Sequence, residues 1–209
     1  MNFQNTDIII LAGGRGSRIN EITSKIPKPL IKFDKKPLLG LILNNISKYN
    51  FNKIFILVGY KGNKIYKRYH NKYFNFTKIH CVTEKKRLGT WGAVINIKKK
   101  IKKNFVLING DTIYNGNLQN LLKFKLKNED IGMLITSNHS YKENSKLNNL
   151  NTNSKKEIVF SKKNKLINSG CYYISKRLLN NNDAKKKSIE NDLIPELIKK
   201  KKDQRNCRK

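Results

Sequence analysis

The chain has 209 residues, enough for one sizeable α/β domain and too few for two full ones. Its 45 Lys and Arg against 14 Asp and Glu give a formal net charge of +31, which favours anionic partners, while the 38% hydrophobic residues gather into short runs and exclude a chain disordered throughout. No run approaches a membrane span, and Cys81, Cys171 and Cys207 form no C-x-x-C pair and have no His at ligand spacing, which argues against a membrane partner, a zinc site and a disulfide framework.

The first apolar run, Ile8-Ile9-Ile10-Leu11, lacks a basic stretch before it and ends after Ala12 at two glycines, so it reads as a strand and not a signal peptide; cytoplasmic residence is the expectation. Further strands are expected at 53–58, 78–83, 104–108 and 131–137. Between them, Leu38, Leu39, Ile42, Leu43 and Ile46 recur at helical spacing behind Pro37, and residues 62–73, 90–100 and 118–126 are further helix candidates. This alternation predicts βαβ units, a parallel sheet covered by helices on both faces. Residues 138–156 are a polar tract of Asn, Ser and Lys that reads either as a loop or as a weak hairpin over the ligand edge of the sheet. A strand at 167–174 and a helix from Ser188 to about Lys200 follow, and residues 199–209, a charge run without apolar periodicity, read as a solvated, mobile basic tail after a domain spanning 1–198.

The charge excess is mostly Lys and accompanies abundant Asn and Ile, residues with A/T-rich codons, so drift of a solvated surface accounts for much of it. No RNP pattern, helix-turn-helix or aromatic stacking array accompanies it, and no specific nucleic-acid partner is expected.

The first strand runs into Gly13-Gly14-Arg15-Gly16-Ser17-Arg18, at the carboxyl edge where α/β sheets place ligands. Glycines there let backbone N–H groups approach phosphate oxygens, although a tight turn alone also explains them. Ile19 stands where a dinucleotide fingerprint needs a small residue, and no Gly-Lys-Ser/Thr is present. Pro27 and Pro29 flank Lys28 and are expected to hold its ammonium on a rigid extended segment.

The run Leu11-Ala12-Gly13-Gly14-Arg15-Gly16-Ser17-Arg18-Ile19, followed by Pro27-Lys28-Pro29-Leu30, resembles the signature of the sugar-1-phosphate nucleotidyltransferases, with Ser17 in place of the usual threonine. Leu88-Gly89-Thr90-Trp91-Gly92-Ala93, Asn109-Gly110-Asp111 and Asn168-Ser169-Gly170 continue the likeness in the family's order, over residues 7 to about 198. The subgroup it is most similar to is the mannose- and heptose-1-phosphate guanylyltransferases. The resemblance implies a Rossmann-like three-layer α/β sandwich with a mostly parallel central sheet, an NTP (GTP in this subgroup) and a sugar 1-phosphate as partners, and Mg²⁺ as cofactor. It implies that the loop of Leu11, Ala12, Gly13, Gly14, Gly16 and Ser17 holds the nucleotide, that Arg18 neutralises the β and γ phosphates, and that Lys28 sits at the α-phosphate. Glu84, Gly89 and Thr90 fall where the family contacts base and ribose, and Asn168 and Gly170 where it contacts the sugar; helix entry at Gly89 and a strand kink at Gly170 are the structural alternatives. Asp111, just past a strand, is implied as the Mg²⁺ ligand. The acceptor phosphate is already an anion, so no strong general base is required.

Two departures stand out. The family's Glu-Lys pair before the sugar turn is replaced by Phe160-Ser161-Lys162-Lys163, leaving Lys163 for the sugar phosphate. The family's aromatic-Asp-Ile-Gly motif, whose aspartate is the second Mg²⁺ ligand, does not follow the last helix, which raises the expectation of a truncated or frameshifted coding sequence, with Asp192 as the nearby substitute. A catalytically impaired nucleotide- or sugar-phosphate-binding member, and a polyanion-binding protein, are the competing functions.

Overall fold

In the computed structural model, which describes residues 3–16, 20–114, 117–122, 126, 131–137, 150–153, 158–160, 166–180 and 186–206, the apolar runs become strands of one nine-stranded sheet. In chain order the elements are β1 (Asp7–Ala12), α1 (Asn20–Thr23), the short pair β2 (Lys32–Phe33) and β3 (Lys36–Pro37), α2 (Leu38–Ile46), β4 (Ile54–Val58), α3 (Gly62–Tyr69), β5 (Tyr73–Phe74), β6 (Thr77–Thr83) and α4 (Gly89–Asn96). They continue with β7 (Phe105–Asn109), α5 (Leu118–Leu122), β8 (Ile131–Ser137), β9 (Leu150–Thr152), β10 (Ile158–Phe160), β11 (Leu166–Ile174), a π turn at Ile189–Leu193 and α6 (Ile194–Asn206). The five strands expected in the first two thirds lie within one residue of these bounds.

The sheet order is β10-β9-β11-β7-β1-β4-β6-β5, with β8 against β11. Strands β7, β1, β4 and β6 are mutually parallel. β11 returns antiparallel between β7 and β8, so β8 keeps the direction of the core strands while pairing antiparallel with its neighbour. Three layers follow from the two-residue period of the strands. Ile8, Ile10 and Ala12 face a cluster with α2, α3 and α5, and Ile9 faces the other, with α4 and the segment leading into α6. Trp91, Phe105 and Tyr172, fully buried, are the largest side chains of the second cluster.

Two expectations are corrected and one left open is narrowed. Lys28 does not lie on an extended segment: Pro27 is extended, but Lys28–Leu30 form a 3₁₀ turn closed by the Leu30 N–H on the Pro27 carbonyl at 2.8 Å, a turn whose φ suits Pro29. The polar tract, left open between a loop and a weak hairpin, contains β9 near its end, paired antiparallel with β10; three residues per strand are too few for alternation to register, and 138–149 and 154–157 lie outside the described residues. Finally, α6 runs on to Asn206, through most of the stretch expected to be a mobile tail, because Lys and Gln favour helix once packed first turns have nucleated it. Among the described residues no helix is long and apolar enough to cross a membrane.

Candidate active site

Segments far apart in sequence meet at the carboxyl ends of β1, β4 and β7. The Gly110 N–H donates to the Leu11 carbonyl at 2.9 Å, and the Tyr60 N–H to the Gly13 carbonyl at 3.3 Å, which ties the strand ends together. Gly16 has φ +66° and a Cβ there would lie 2.8 Å from the Thr23 methyl and 3.4 Å from the Lys28 Cβ, so only glycine lets the loop close onto the lysine segment. Lys28 Nζ then reaches Asp111 Oδ2 at 2.8 Å, with both side chains partly open to solvent. The glycine loop, Lys28 and Asp111, separated by up to a hundred residues, share one open edge. Arg18 and Ser17 lie outside the described residues, as does Lys163.

Unforeseen in the sequence is the support from β4 and α3. Lys61 Nζ donates to the Ser24 carbonyl and Lys64 Nζ to the Lys25 carbonyl at 2.9 Å, pinning the approach to Lys28. The Arg15 guanidinium and Lys61 ammonium lie 5.7 and 5.3 Å from the Tyr60 ring centroid. The rule that singled out the end of β1 applies equally to Gly59 and Tyr60 at the end of β4.

Glu84 follows β6. Its N–H donates to the Val58 carbonyl at 3.0 Å, and its carboxylate comes close to Gly13. Burial pushes the carboxyl above the ordinary carboxylate range, opposed by the Leu88 N–H and the Arg87 charge. Next to it, Gly89 at φ +76° starts α4, and a Cβ there would stand 2.6 Å from the Lys187 carbonyl; that carbonyl accepts from the Trp91 N–H at 2.9 Å, and the Lys187 N–H donates to Leu88 at 2.9 Å. Close docking of the 187 segment therefore suffices to require glycine at 89.

In β11, the Gly170 N–H donates to Asn168 Oδ1 at 2.9 Å, with Gly170 at φ +71° packed over the Asn109 side chain. Asp192 accepts from the Ser188 N–H at 2.6 Å while Ser188 Oγ accepts from the Asn191 N–H at 3.1 Å, a reciprocal cap that gives Asp192 a structural task. Cys81 and Cys171 are buried, their thiols pushed up to about 12, and serve as core.

Among the described residues no three His, Cys, Asp or Glu side chains cluster as a metal cage. A single exposed carboxylate, Asp111, fits Mg²⁺, which takes one or two carboxylates and completes its shell with waters and substrate phosphates.

The nucleotidyl transferase family matches residues 7–208. A D-glycero-alpha-D-manno-heptose 1-phosphate guanylyltransferase of Campylobacter jejuni is 32% identical over 195 residues, covering 92% of this chain and 86% of that protein. A bifunctional protein GlmU of Methanococcus maripaludis is 33% identical over 175 residues, 79% of this chain but 39% of its own length, so the chain spans less than half of that relative. Among solved structures, HddC from Yersinia pseudotuberculosis, also solved with GMP-PN, superposes with TM-score 0.73 at 26% identity, covering 91% of this chain and 85% of that one. The ordered motifs, the sheet that brings them to one edge and the match over residues 7–208 make this chain a member of the nucleotidyl transferase family.

Proposed function

We propose that the protein transfers a nucleoside monophosphate from an NTP, GTP by preference, to a manno-configured hexose or heptose 1-phosphate, releasing pyrophosphate. The observation that carries this is the Lys28 to Asp111 contact of 2.8 Å beside the glycine loop, which puts a cation and a metal-fitting carboxylate together at one solvent-open edge of the sheet. An oxygen of the acceptor phosphate attacks the α-phosphorus in line, the bond from that phosphorus to the β-phosphate bridging oxygen breaks, and pyrophosphate leaves with the electron pair. Loop amides at Gly13, Gly14 and Gly16 hold the triphosphate, Lys28 neutralises charge growing on the α-phosphate, and Arg18 steadies the leaving group. Asp111 would hold Mg²⁺, which supplies further neutralisation of the triphosphate. Asn168 and Gly170 face the sugar, and Lys163 meets its phosphate.

Guanine is favoured on two grounds. Glu84 offers two acceptor oxygens beside the glycine loop, matching the paired N1–H and N2–H donors that guanine alone presents, and the solved structure of HddC with GMP-PN is among the similar folds. A cytoplasmic location, where nucleoside triphosphates are made, and use of the product for cell-surface polysaccharide belong to this reading.

The test is pyrophosphate release by the whole chain with Mg²⁺, each common NTP being paired with mannose, heptose, glucose and N-acetylglucosamine 1-phosphates. Turnover with GTP and a manno-configured acceptor is expected. Turnover with UTP or dTTP instead would overturn the base assignment, and no release with any pair would overturn the activity.

A further inference from the structure

Five side chains that no family motif joins, Tyr172 buried and the others half-buried, form one hydrogen-bonded network. Thr90 Oγ1, on the nucleotide side, accepts from the Ile189 N–H at 2.8 Å and donates to Glu190 Oε2 at 3.2 Å. Ser188 Oγ donates to the same oxygen at 3.2 Å. The other carboxylate oxygen, Oε1, accepts from the Tyr172 hydroxyl at 3.2 Å. That hydroxyl oxygen in turn accepts from Asn168 Nδ2 at 2.5 Å, and Asn168 Oδ1 accepts from the Gly170 N–H at 2.9 Å.

Every proton in this line has one direction available to it. The Gly170 backbone N–H can only donate, which fixes Asn168 Oδ1 toward it and turns the NH₂ toward Tyr172. Tyr172, fully buried, keeps its proton because burial and the nearby carboxylate hold the phenol well above its ordinary range, and its hydroxyl donates to Glu190. The carboxylate is held by hydroxyls from three elements, and no hydrogen bond to a cation is among its described contacts. We propose that Glu190 is a positioning residue whose two oxygens tie the nucleotide-side segment at residues 89–91 to the acceptor-side turn at 168–170, so that the two substrate sites are held in one register.

The π turn is what makes this reach possible. Ser188 caps it and the Leu193 N–H bonds the Ser188 carbonyl at 3.1 Å, five residues back, while Lys187 is locked onto Leu88 and Trp91 by backbone bonds. Glu190 is thereby anchored at its base and presents its two oxygens to two different elements. The substrate names attached to the two ends rest on the function proposed above, whereas the linkage does not.

Hydrogen exchange on the whole chain, without substrates, separates the two. Glu190→Ala is expected to raise exchange about ten-fold, the loss of roughly one net hydrogen bond, at both 89–92 and 168–172. Glu190→Gln, which keeps one acceptor oxygen for Tyr172 but sets its NH₂ against the Thr90 and Ser188 hydroxyls, should restore 168–172 and leave 89–92 between Ala and the unmutated chain. Tyr172→Phe, nearly isosteric, should loosen 168–172 alone. Exchange raised only within 188–194, or a Gln variant as loose as Ala, overturns the proposal. With GTP and mannose 1-phosphate, Glu190→Ala should raise KM for both substrates, and Tyr172→Phe KM for the acceptor only. A loss of kcat at unchanged KM, which a merely smaller folded fraction produces, counts against the linkage. If the unmutated chain shows coupled exchange yet neither binds GTP nor releases pyrophosphate, the functional reading fails and the linkage stands.

Discussion

The two sides of the site, to which the proposed function gives the nucleotide and the acceptor, are built on different principles. The first is a set of loop residues at the ends of parallel strands, part-exposed, with a solvent-accessible pair between Lys28 and Asp111. The second hangs on an antiparallel strand and is set by a part-buried line of hydroxyl, amide and carboxylate through the buried Tyr172 and the half-buried Glu190. Charge at an open edge can be removed without disturbing packing, whereas a polar group inside the core also holds the core together. Function and stability should therefore separate on the nucleotide side and travel together on the acceptor side.

The largest expected effect tests that separation. Asp111→Asn and Lys28→Met should each lower kcat by about 10²–10³-fold, the range for a group that stabilises transition-state charge. Thermal unfolding should barely move, since an exposed ion pair is worth about 0–1 kcal/mol; a collapse in melting temperature would blur the contrast. Next, Tyr172→Ala should destabilise by about 3–5 kcal/mol in denaturant unfolding, as deleting a buried ring leaves a cavity and orphans its partners.

Two glycines sharpen the comparison further. Gly89→Ala forces a Cβ to 2.6 Å from the Lys187 carbonyl at φ +76° and should cost about 1–3 kcal/mol by the same measurement. At Gly14 nothing lies within 4 Å of the added carbon, so Gly14→Ala should leave stability alone and weaken GTP binding, read by titration calorimetry.

The smallest effect is in pH. Because burial raises the Glu84 carboxyl, the folded protein holds this proton more tightly than the unfolded chain. Its contribution to stability is present below the ordinary carboxylate pKa and is lost as pH rises through the raised folded value. Guanine binding needs the ionised form and should strengthen over the same interval. Glu84→Gln should flatten both slopes, as seen in unfolding and GTP titrations across the acidic range.

Much of this was legible before folding. Lys28 and Asp111 could be picked out together because the family's motifs are short contiguous runs beside strands, and the core strands because strands buried on both faces read as unbroken apolar runs. Glu190 and Tyr172 could not, because a carboxylate in Ser188-Ile189-Glu190 looks like any solvated helix acid until the chain closes over it. Asp192, chosen from the same stretch for its charge, accepts from a backbone N–H at its own helix start.

By itself the sequence determined the order of the main strands and helices, since this depends on local periodicity and side-chain type. Tertiary structure alone decided that β11 turns back between β7 and β8, that α6 extends to Asn206, and that Glu190 joins Thr90 to Asn168. Those outcomes depend on which buried surfaces and polar groups find each other across a hundred residues, and local pattern carries no record of such partners.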